Sequence, residues 1–104
     1  MQEITPSALK SRLSTADPPL VLDVREPWER NIARLPGTLD IPMSEVPNRL
    51  AELPKERDIV VMCRSGGRSS KVAQYLEQRG YRTANLTGGI LRWAEDVDPS
   101  LETY

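Results

Sequence analysis

The sequence predicts an α/β domain in which helices flank a central, mostly parallel sheet. Two apolar runs, residues 20–24 and 59–62, have the near-continuous hydrophobicity of strands that are buried on both faces, as in parallel sheets. Segments with apolar residues at helical spacing alternate with the strand candidates, which is typical of strand–helix–strand units. The 104 residues suit one core, and we predict a single domain over residues 1–104.

The chain begins with a predicted helix. Thr5 can cap this helix, Pro6 can occupy its first position, and Ile4 can pack on Leu9 across its start. The run at residues 20–24 follows as the first predicted strand.

A second helix is predicted to begin at Glu26 and Pro27. It places Trp28, Ile32 and Leu35 on one apolar face, so we expect Trp28 to pack in the core.

A short strand at residues 38–41 follows the second helix. We predict that Ser44 then caps a short helix that carries Val46, Leu50 and Leu53 on one side.

The second half of the chain repeats the alternation of strand and helix. The strand at residues 59–62 leads into a helix at residues 69–79, which Gly80 is suited to end. A weaker strand candidate covers residues 83–86. A last helix then places Trp93 on an apolar face, and we expect this side chain in the core as well.

Composition excludes several classes of function. The 14 basic and 15 acidic residues give a net charge of −1, which offers no electrostatic case for a nucleic acid or membrane partner. No apolar stretch has the length of a membrane span and no signal-peptide pattern precedes the domain, so a cytoplasmic location is expected.

One cysteine and no histidine exclude an internal disulfide, a thiolate metal cage and a Cys–His pair. We expect no metal and no organic cofactor.

The single cysteine, Cys63, lies between the best strand and a helix, at the sheet edge where α/β proteins bind ligands. The start of a helix stabilises an anion, and Gly66 and Gly67 allow the loop to turn its N–H groups inward. These amides, with Arg64 and Arg68, would favour the thiolate. The alternative is that Cys63 is a small buried hydrophobe and that the arginines are solvated charges. Two arginines and two glycines beside the thiol favour the reactive interpretation.

Residues 63–69 resemble the active-site loop of the rhodanese family. Their sequence is Cys63, Arg64, Ser65, Gly66, Gly67, Arg68 and Ser69. Further motifs that resemble this family follow its order along almost the whole chain, at residues 22–26, 35–37, 41–42 and 88–90 and at Trp93. One departure is Arg34, where many members carry histidine; we interpret this position as peripheral. The resemblance implies a rhodanese-like three-layer fold with a five-stranded central sheet.

The resemblance also implies a function. The residue that matches Cys63 accepts a sulfane sulfur from a small anionic donor such as thiosulfate, and passes it to cyanide, a thiol or a protein. Arg64 and Arg68 would bind the donor, and the amides of the loop, from Arg64 to Ser69, would hold the persulfide. Because the chain has one cysteine, the acceptor must be external.

The length of the loop separates sulfur transfer from a related chemistry. Four residues lie between Cys63 and Arg68, whereas cysteine phosphatases that resemble rhodaneses place five there. The shorter loop suits one sulfur atom better than a phosphate. A persulfide carrier or docking module remains an alternative, as do, with less support, a phosphatase or arsenate reductase and a non-catalytic interaction domain.

Two further pairs of residues are expected near the loop. Asp23 and Arg25 end the first strong strand, and we favour charge pairing that supports the loop over direct anion binding by Arg25. Gly88 and Gly89 resemble a phosphate-loop fragment only weakly, and we favour a close approach of this turn to the cysteine loop.

Overall fold

The computed structural model describes residues 1–104 and contains five strands, four α-helices and two 3₁₀ helices. The strands are β1 (Gln2–Ile4), β2 (Leu20–Asp23), β3 (Leu39–Asp40), β4 (Ile59–Met62) and β5 (Thr83–Leu86). The α-helices are α1 (Pro6–Leu13), α2 (Pro27–Ile32), α3 (Gly67–Glu77) and α4 (Gly89–Asp96). The 3₁₀ helices, Met43–Asn48 and Leu50–Glu52, follow β3.

The five strands form one sheet in the order β1-β5-β4-β2-β3, and every pair of neighbours is parallel. The predicted fold class is therefore confirmed, and the sheet is parallel throughout. The central strand β4 is buried at all four positions, which explains its continuous apolar run.

Alternate side chains of the central strands enter two different cores. Leu22 and Val61 belong to a cluster with α3 on one face, whereas Val21 and Val60 belong to a cluster with α1 and α4 on the other. This alternation follows from the two-residue period of a strand and produces the three layers. Trp93 of α4 is buried in the second cluster, as predicted.

The predicted start of α1 and the predicted end of α3 agree with the structure. The side chain of Thr5 accepts a hydrogen bond from the N–H of Ala8 at 3.2 Å, so the predicted cap of α1 is confirmed. Gly80, with φ of +91°, follows α3, and the N–H of Tyr81 donates to the carbonyl of Leu76 across this turn. A left-handed residue is what this type of helix end requires.

The prediction that Trp28 packs in the core is wrong, because its side chain is 61% exposed. Helix α2 is shorter than predicted and ends at Ile32, so Leu35 lies beyond it. This helix turns the polar side chain of Glu29 inward instead. Since neighbouring residues of a helix point about 100° apart, Trp28 is left facing solvent.

Two other predictions need correction. The short helix after β3 is a 3₁₀ helix that begins at Met43, with Pro42 in the cap position and no cap from Ser44. Strand β1 was not among the four strands predicted from the pattern of apolar residues; it pairs only with β5 at the edge of the sheet. No helix of the chain is both long and apolar enough to cross a bilayer.

Candidate active site

Cys63 lies immediately after the central strand β4 and is 1% exposed. The chain then turns sharply, because Gly66 adopts a φ of +108°, and α3 begins at Gly67. The loop between strand and helix is therefore short, and the first turn of α3 is brought over the sulfur. This position, at the carboxyl end of a central strand, is the one predicted from the sequence.

The sulfur of Cys63 lies in a cradle of hydrogen-bond donors. The N–H groups of Gly66 and Ser69 point at Sγ from 3.1 and 3.4 Å, and the hydroxyl oxygen of Ser69 lies 3.3 Å from it. Burial raises the pKa of the thiol, but the hydrogen bonds from Ser69, Gly66 and Ser65 outweigh it and lower the pKa below its ordinary value. A lowered pKa increases the fraction of thiolate, the nucleophilic form of cysteine.

The start of α4 holds the cysteine loop from behind. The N–H of Ile90 donates to the carbonyl of Cys63 at 3.0 Å, and the N–H of Leu91 donates to the carbonyl of Arg64 at 3.2 Å. Gly89 lies so close that an added Cβ would stand 2.3 Å from the carbonyl oxygen of Arg64. The expected close approach of the glycine turn to the loop is thus present, and it holds these two carbonyls on the side away from the cradle.

Asn85, at the end of β5, connects the loop to the sheet. Its Nδ2 donates to the carbonyl of Gly66 at 3.2 Å and lies 3.3 Å from both carboxylate oxygens of Glu3. Its Oδ1 accepts from the hydroxyl of Ser69 at 2.5 Å. Asn85 is not among the site residues that the sequence predicts. The available signal was a polar residue in a strand that ends at the same edge of the sheet as Cys63.

Arg68 forms a two-pronged ion pair with Glu29 of α2, at 2.7 and 2.8 Å. Glu29 is 2% exposed. The hydrogen bond from Arg68 is the largest influence on Glu29 and, together with the N–H of Glu26, lowers its pKa from 4.5 to about 2 against the effect of burial. The ion pair with Glu29 raises the pKa of Arg68 above its usual range. Glu29 was also missed from the sequence, although it lies three residues after Glu26, where capping carboxylates are common.

Arg25 and Asp23 form an ion pair that is fully buried at the end of β2. The guanidinium donates to both oxygens of Asp23, to the carbonyl of Ala33 at 2.8 Å and to the hydroxyl of Tyr104 at 3.1 Å. Burial acts to lower the pKa of Arg25, but its hydrogen bonds to Asp23 and Tyr104 outweigh burial and raise the pKa. The guanidinium of Arg25 therefore donates to groups of the protein itself, which agrees with the charge-pair interpretation.

The C-terminal residue Tyr104 packs beside the cysteine loop. Its hydroxyl donates to Glu29 at 2.8 Å, and its ring lies 5.2 Å from the guanidinium of Arg64. Arg64 also donates to the backbone oxygen of Tyr104. Trp28 meets the ring edge-on at a centroid distance of 5.9 Å. One edge of the site is therefore formed by three side chains in contact, with the ring of Tyr104 between Trp28 and Arg64.

The structure brings some of the predicted loop residues against the sulfur and leaves others exposed. Gly66 and Ser69 are buried against Sγ, whereas Ser65, which contributes only its backbone N–H to the sulfur, and Gly67 are exposed to solvent. Arg34, the departure from the family pattern, pairs with Asp40 at 2.6 Å and has a half-exposed side chain. No group of three or more His, Cys, Asp or Glu side chains is arranged to hold a metal ion.

The parallel sheet and the cysteine loop at its carboxyl edge are those of a rhodanese-like domain. The family model of the rhodanese-like domain matches residues 5–96. A sulfurtransferase of Allochromatium vinosum is 43% identical over 95 residues, covering 90% of this chain and 89% of that protein. The putative sulfurtransferase YtwF of Bacillus subtilis is 33% identical and covers 95% of this chain and 96% of that protein.

A solved structure agrees with these relatives. The crystal structure of a rhodanese-like domain protein from Staphylococcus aureus superposes with a TM-score of 0.87 at 34% identity, covering 100% of this chain and 99% of that one. The chain therefore belongs to the rhodanese-like family. At that level it is a rhodanese-like sulfurtransferase with a single buried cysteine, and the resemblance found in the sequence is confirmed.

Proposed function

We propose that this chain transfers a sulfane sulfur from thiosulfate, or a related anionic donor, to an external acceptor through a persulfide on Cys63. The observation that supports the proposal best is the cradle, in which the N–H groups of Gly66 and Ser69 point at Sγ from 3.1 and 3.4 Å. Inward amides at the start of a helix stabilise an anion. They suit both the thiolate and a persulfide whose outer sulfur is charged.

The reaction has two half-reactions that share one covalent intermediate. The thiolate of Cys63 attacks the outer sulfur of thiosulfate, a new S–S bond forms, and the bond to the sulfonate sulfur breaks. Sulfite leaves with that electron pair. A nucleophilic acceptor such as cyanide or a thiolate then attacks the outer sulfur of the persulfide, and the Cys63 thiolate departs with the electrons of the S–S bond. No oxidant or reductant is consumed.

Arg64 and Arg68 are the residues we assign to donor binding. Two of the five N–H donors of Arg68 are used by Glu29, which leaves three and fixes the plane of the guanidinium. Arg64 lies directly after the cysteine at the edge of the loop. We expect these two side chains to orient the sulfonate of the donor, while the amides receive the sulfur.

The spacing of the loop disfavours phosphoryl chemistry. Only four residues separate Cys63 from Arg68, and Gly66 and Ser69 already close around the sulfur atom. We expect hydrolysis of an aryl phosphate to be absent where sulfur transfer is present.

The decisive experiment is intact-protein mass spectrometry after incubation with thiosulfate, before and after addition of cyanide. We expect the mass to rise by one sulfur atom, the added sulfur to leave with cyanide, and Cys63→Ser to show neither change. Retained thiocyanate formation in Cys63→Ser would overturn the role of the cysteine. A wild-type protein that never gains sulfur from thiosulfate would overturn thiosulfate as the donor.

A persulfide carrier that receives its sulfur from another protein is the second candidate function. The observation that favours it is charge compensation: Arg68 is paired with Glu29, and Arg25 is paired with Asp23. The site therefore offers a free dianion less positive charge than its three arginines suggest. Loading by a small-molecule persulfide but not by thiosulfate would support the carrier, and efficient loading by thiosulfate would contradict it.

A further inference from the structure

The hydroxyl group of Ser69 lies between two acceptors. Its Oγ is 2.5 Å from Oδ1 of Asn85 and 3.3 Å from Sγ of Cys63. A serine hydroxyl carries a single proton. When Cys63 is a thiolate, both neighbours accept and neither donates to Oγ, so the hydroxyl can satisfy only one of them at a time.

The carboxamide of Asn85 cannot exchange its two ends. Its Nδ2 faces the carbonyl of Gly66 at 3.2 Å and the carboxylate of Glu3 at 3.3 Å, and these groups only accept hydrogen bonds. Oδ1 must therefore face Ser69. Asn85 is 4% exposed, so little water is available to replace the hydroxyl as a donor. Oδ1 of Asn85, the acceptor that competes with Sγ, therefore has a fixed orientation and is shielded from water.

We propose that Asn85 is a positioning residue for Cys63, because its carboxamide oxygen competes with Sγ for the proton of the Ser69 hydroxyl and so limits how strongly the thiolate is stabilised. The Ser69–Asn85 distance is much the shorter of the two, so the hydroxyl donates to Asn85 whenever the sulfur is uncharged. When the sulfur is a thiolate, the hydroxyl alternates between the two acceptors. The hydroxyl is the adjustable donor of the cradle, whereas the two backbone amides keep their direction.

This competition has a use in sulfur transfer. A thiolate that is stabilised less is more basic and a better nucleophile toward sulfur. Once the outer sulfur has been added, the negative charge no longer lies on Sγ, so Sγ competes less for the hydroxyl and the hydroxyl donates to Asn85. Asn85 therefore favours the loaded state of Cys63 over the bare thiolate. This use rests on the proposed function, but the competition itself does not.

Charged groups approach the site from several elements, and the test must leave them in place. Arg68 comes from α3 and its partner Glu29 from α2, Arg64 comes from the loop, and Glu3 comes from β1 next to Asn85. The pair of Asp23 and Arg25 lies at the end of β2, and the titratable hydroxyl of Tyr104 contacts Glu29 and Arg25. A substitution of Asn85 removes none of these charges.

The test is the pH dependence of Cys63 alkylation by iodoacetamide in the full chain, which requires no sulfur donor. We expect Asn85→Leu to move the midpoint of the profile to lower pH, because the freed hydroxyl then donates to the thiolate. Ser69→Ala should move it to higher pH and slow alkylation roughly tenfold below the wild-type midpoint, the loss of one hydrogen bond to a charged group. Ser70→Ala is the matched control, since its hydroxyl contacts Gln74 and not the sulfur, and should leave the profile unchanged.

The sign of the shift decides between positioning and simple support. If Asn85 only anchored the loop, its loss would weaken the amide cradle and move the midpoint to higher pH, as Ser69→Ala does; that result would overturn the inference. A shift by Asn85→Leu that persists in a Ser69→Ala background would overturn it too. If Asn85→Leu does not fold, Asn85→Ala gives the same comparison. Failure of sulfur loading from thiosulfate would contradict the proposed function and leave this result standing.

Discussion

The closest backbone approach in the site predicts a large difference between two glycine substitutions. A Cβ added to Gly89 would lie 2.3 Å from the carbonyl oxygen and 2.5 Å from the carbonyl carbon of Arg64, and 2.6 Å from the carbonyl oxygen of Cys63. Favourable contacts between heavy atoms begin at about 3.5 Å, so α4 and the loop would have to separate by roughly 1 Å. All three obstructing atoms are backbone, and none can turn aside.

The cost of Gly89→Ala can be assembled from its parts. Gly89 has a φ of +61°, and a left-handed alanine costs about 1–2 kcal/mol. Separation of the two segments weakens the hydrogen bonds from Ile90 to Cys63 and from Leu91 to Arg64, each of which contributes about 1 kcal/mol. We expect a loss of about 3–4 kcal/mol in the free energy of unfolding, a large part of the stability of a domain of this size.

Gly67→Ala is the matched control for this prediction. Gly67 opens α3, its φ is not positive, and an added Cβ would meet no atom within 4 Å. This substitution should stabilise the chain by up to about 1 kcal/mol, since alanine loses less entropy than glycine in a helix. Urea unfolding of both variants gives the two free energies, and alkylation of Cys63 reports whether the cradle survives. Equal stability of Gly89→Ala and Gly67→Ala would refute the reasoning.

Two further predictions concern α2. Because the folded pKa of Glu29 is lowered from 4.5 to about 2, its ion pair with Arg68 contributes stability that is complete above pH 4.5 and is lost as the pH falls toward 2. Urea midpoints measured across this range should fall less steeply in Glu29→Gln; an unchanged slope would contradict the assignment. Trp28 is mostly exposed and its one described aromatic contact is the edge-on contact with Tyr104, so Trp28→Ala should cost no more than about 1.5 kcal/mol in the free energy of unfolding. Trp93→Ala should cost about 3–5 kcal/mol, and similar losses for both tryptophans would contradict the exposure of Trp28.

The parts of the fold that could be predicted are those in which one local pattern decides the outcome. The run at residues 59–62 is apolar because β4 is covered on both faces, and Thr5 followed by Pro6 specifies a helix start without help from distant residues. Strand β1 has only three residues, two of them polar and exposed, and forms because β5 offers it an edge. That pairing joins residues about 80 positions apart, and no local pattern records it.

The same distinction applies to the site. Cys63 and its loop could be identified because strand, glycines and helix start are contiguous in the sequence. Glu29 and Asn85 reach the loop from α2 and β5, and each looks like an ordinary polar residue in its own segment. Trp28 was misplaced for a related reason: the apolar spacing in its segment is real, but the ion pair with Arg68 turns Glu29 inward instead.

The partners of the arginines change how the electrostatics of the site should be understood. From the sequence, Arg64 and Arg68 suggest a positive pocket, yet Arg68 is neutralised by Glu29. Arg25 is neutralised by Asp23, the charge pairing that the sequence analysis favoured for it. Such pairs orient a guanidinium and add little net potential. The amides around Cys63, in contrast, are not paired with a carboxylate. The loop that carries them is fixed on one side by α3 and on the other by the hydrogen bonds from α4 to the carbonyls of Cys63 and Arg64. Stabilisation of charge on the sulfur therefore depends more on the backbone than on the arginines, and variants that move the loop should impair reactivity more than variants that remove one side-chain charge.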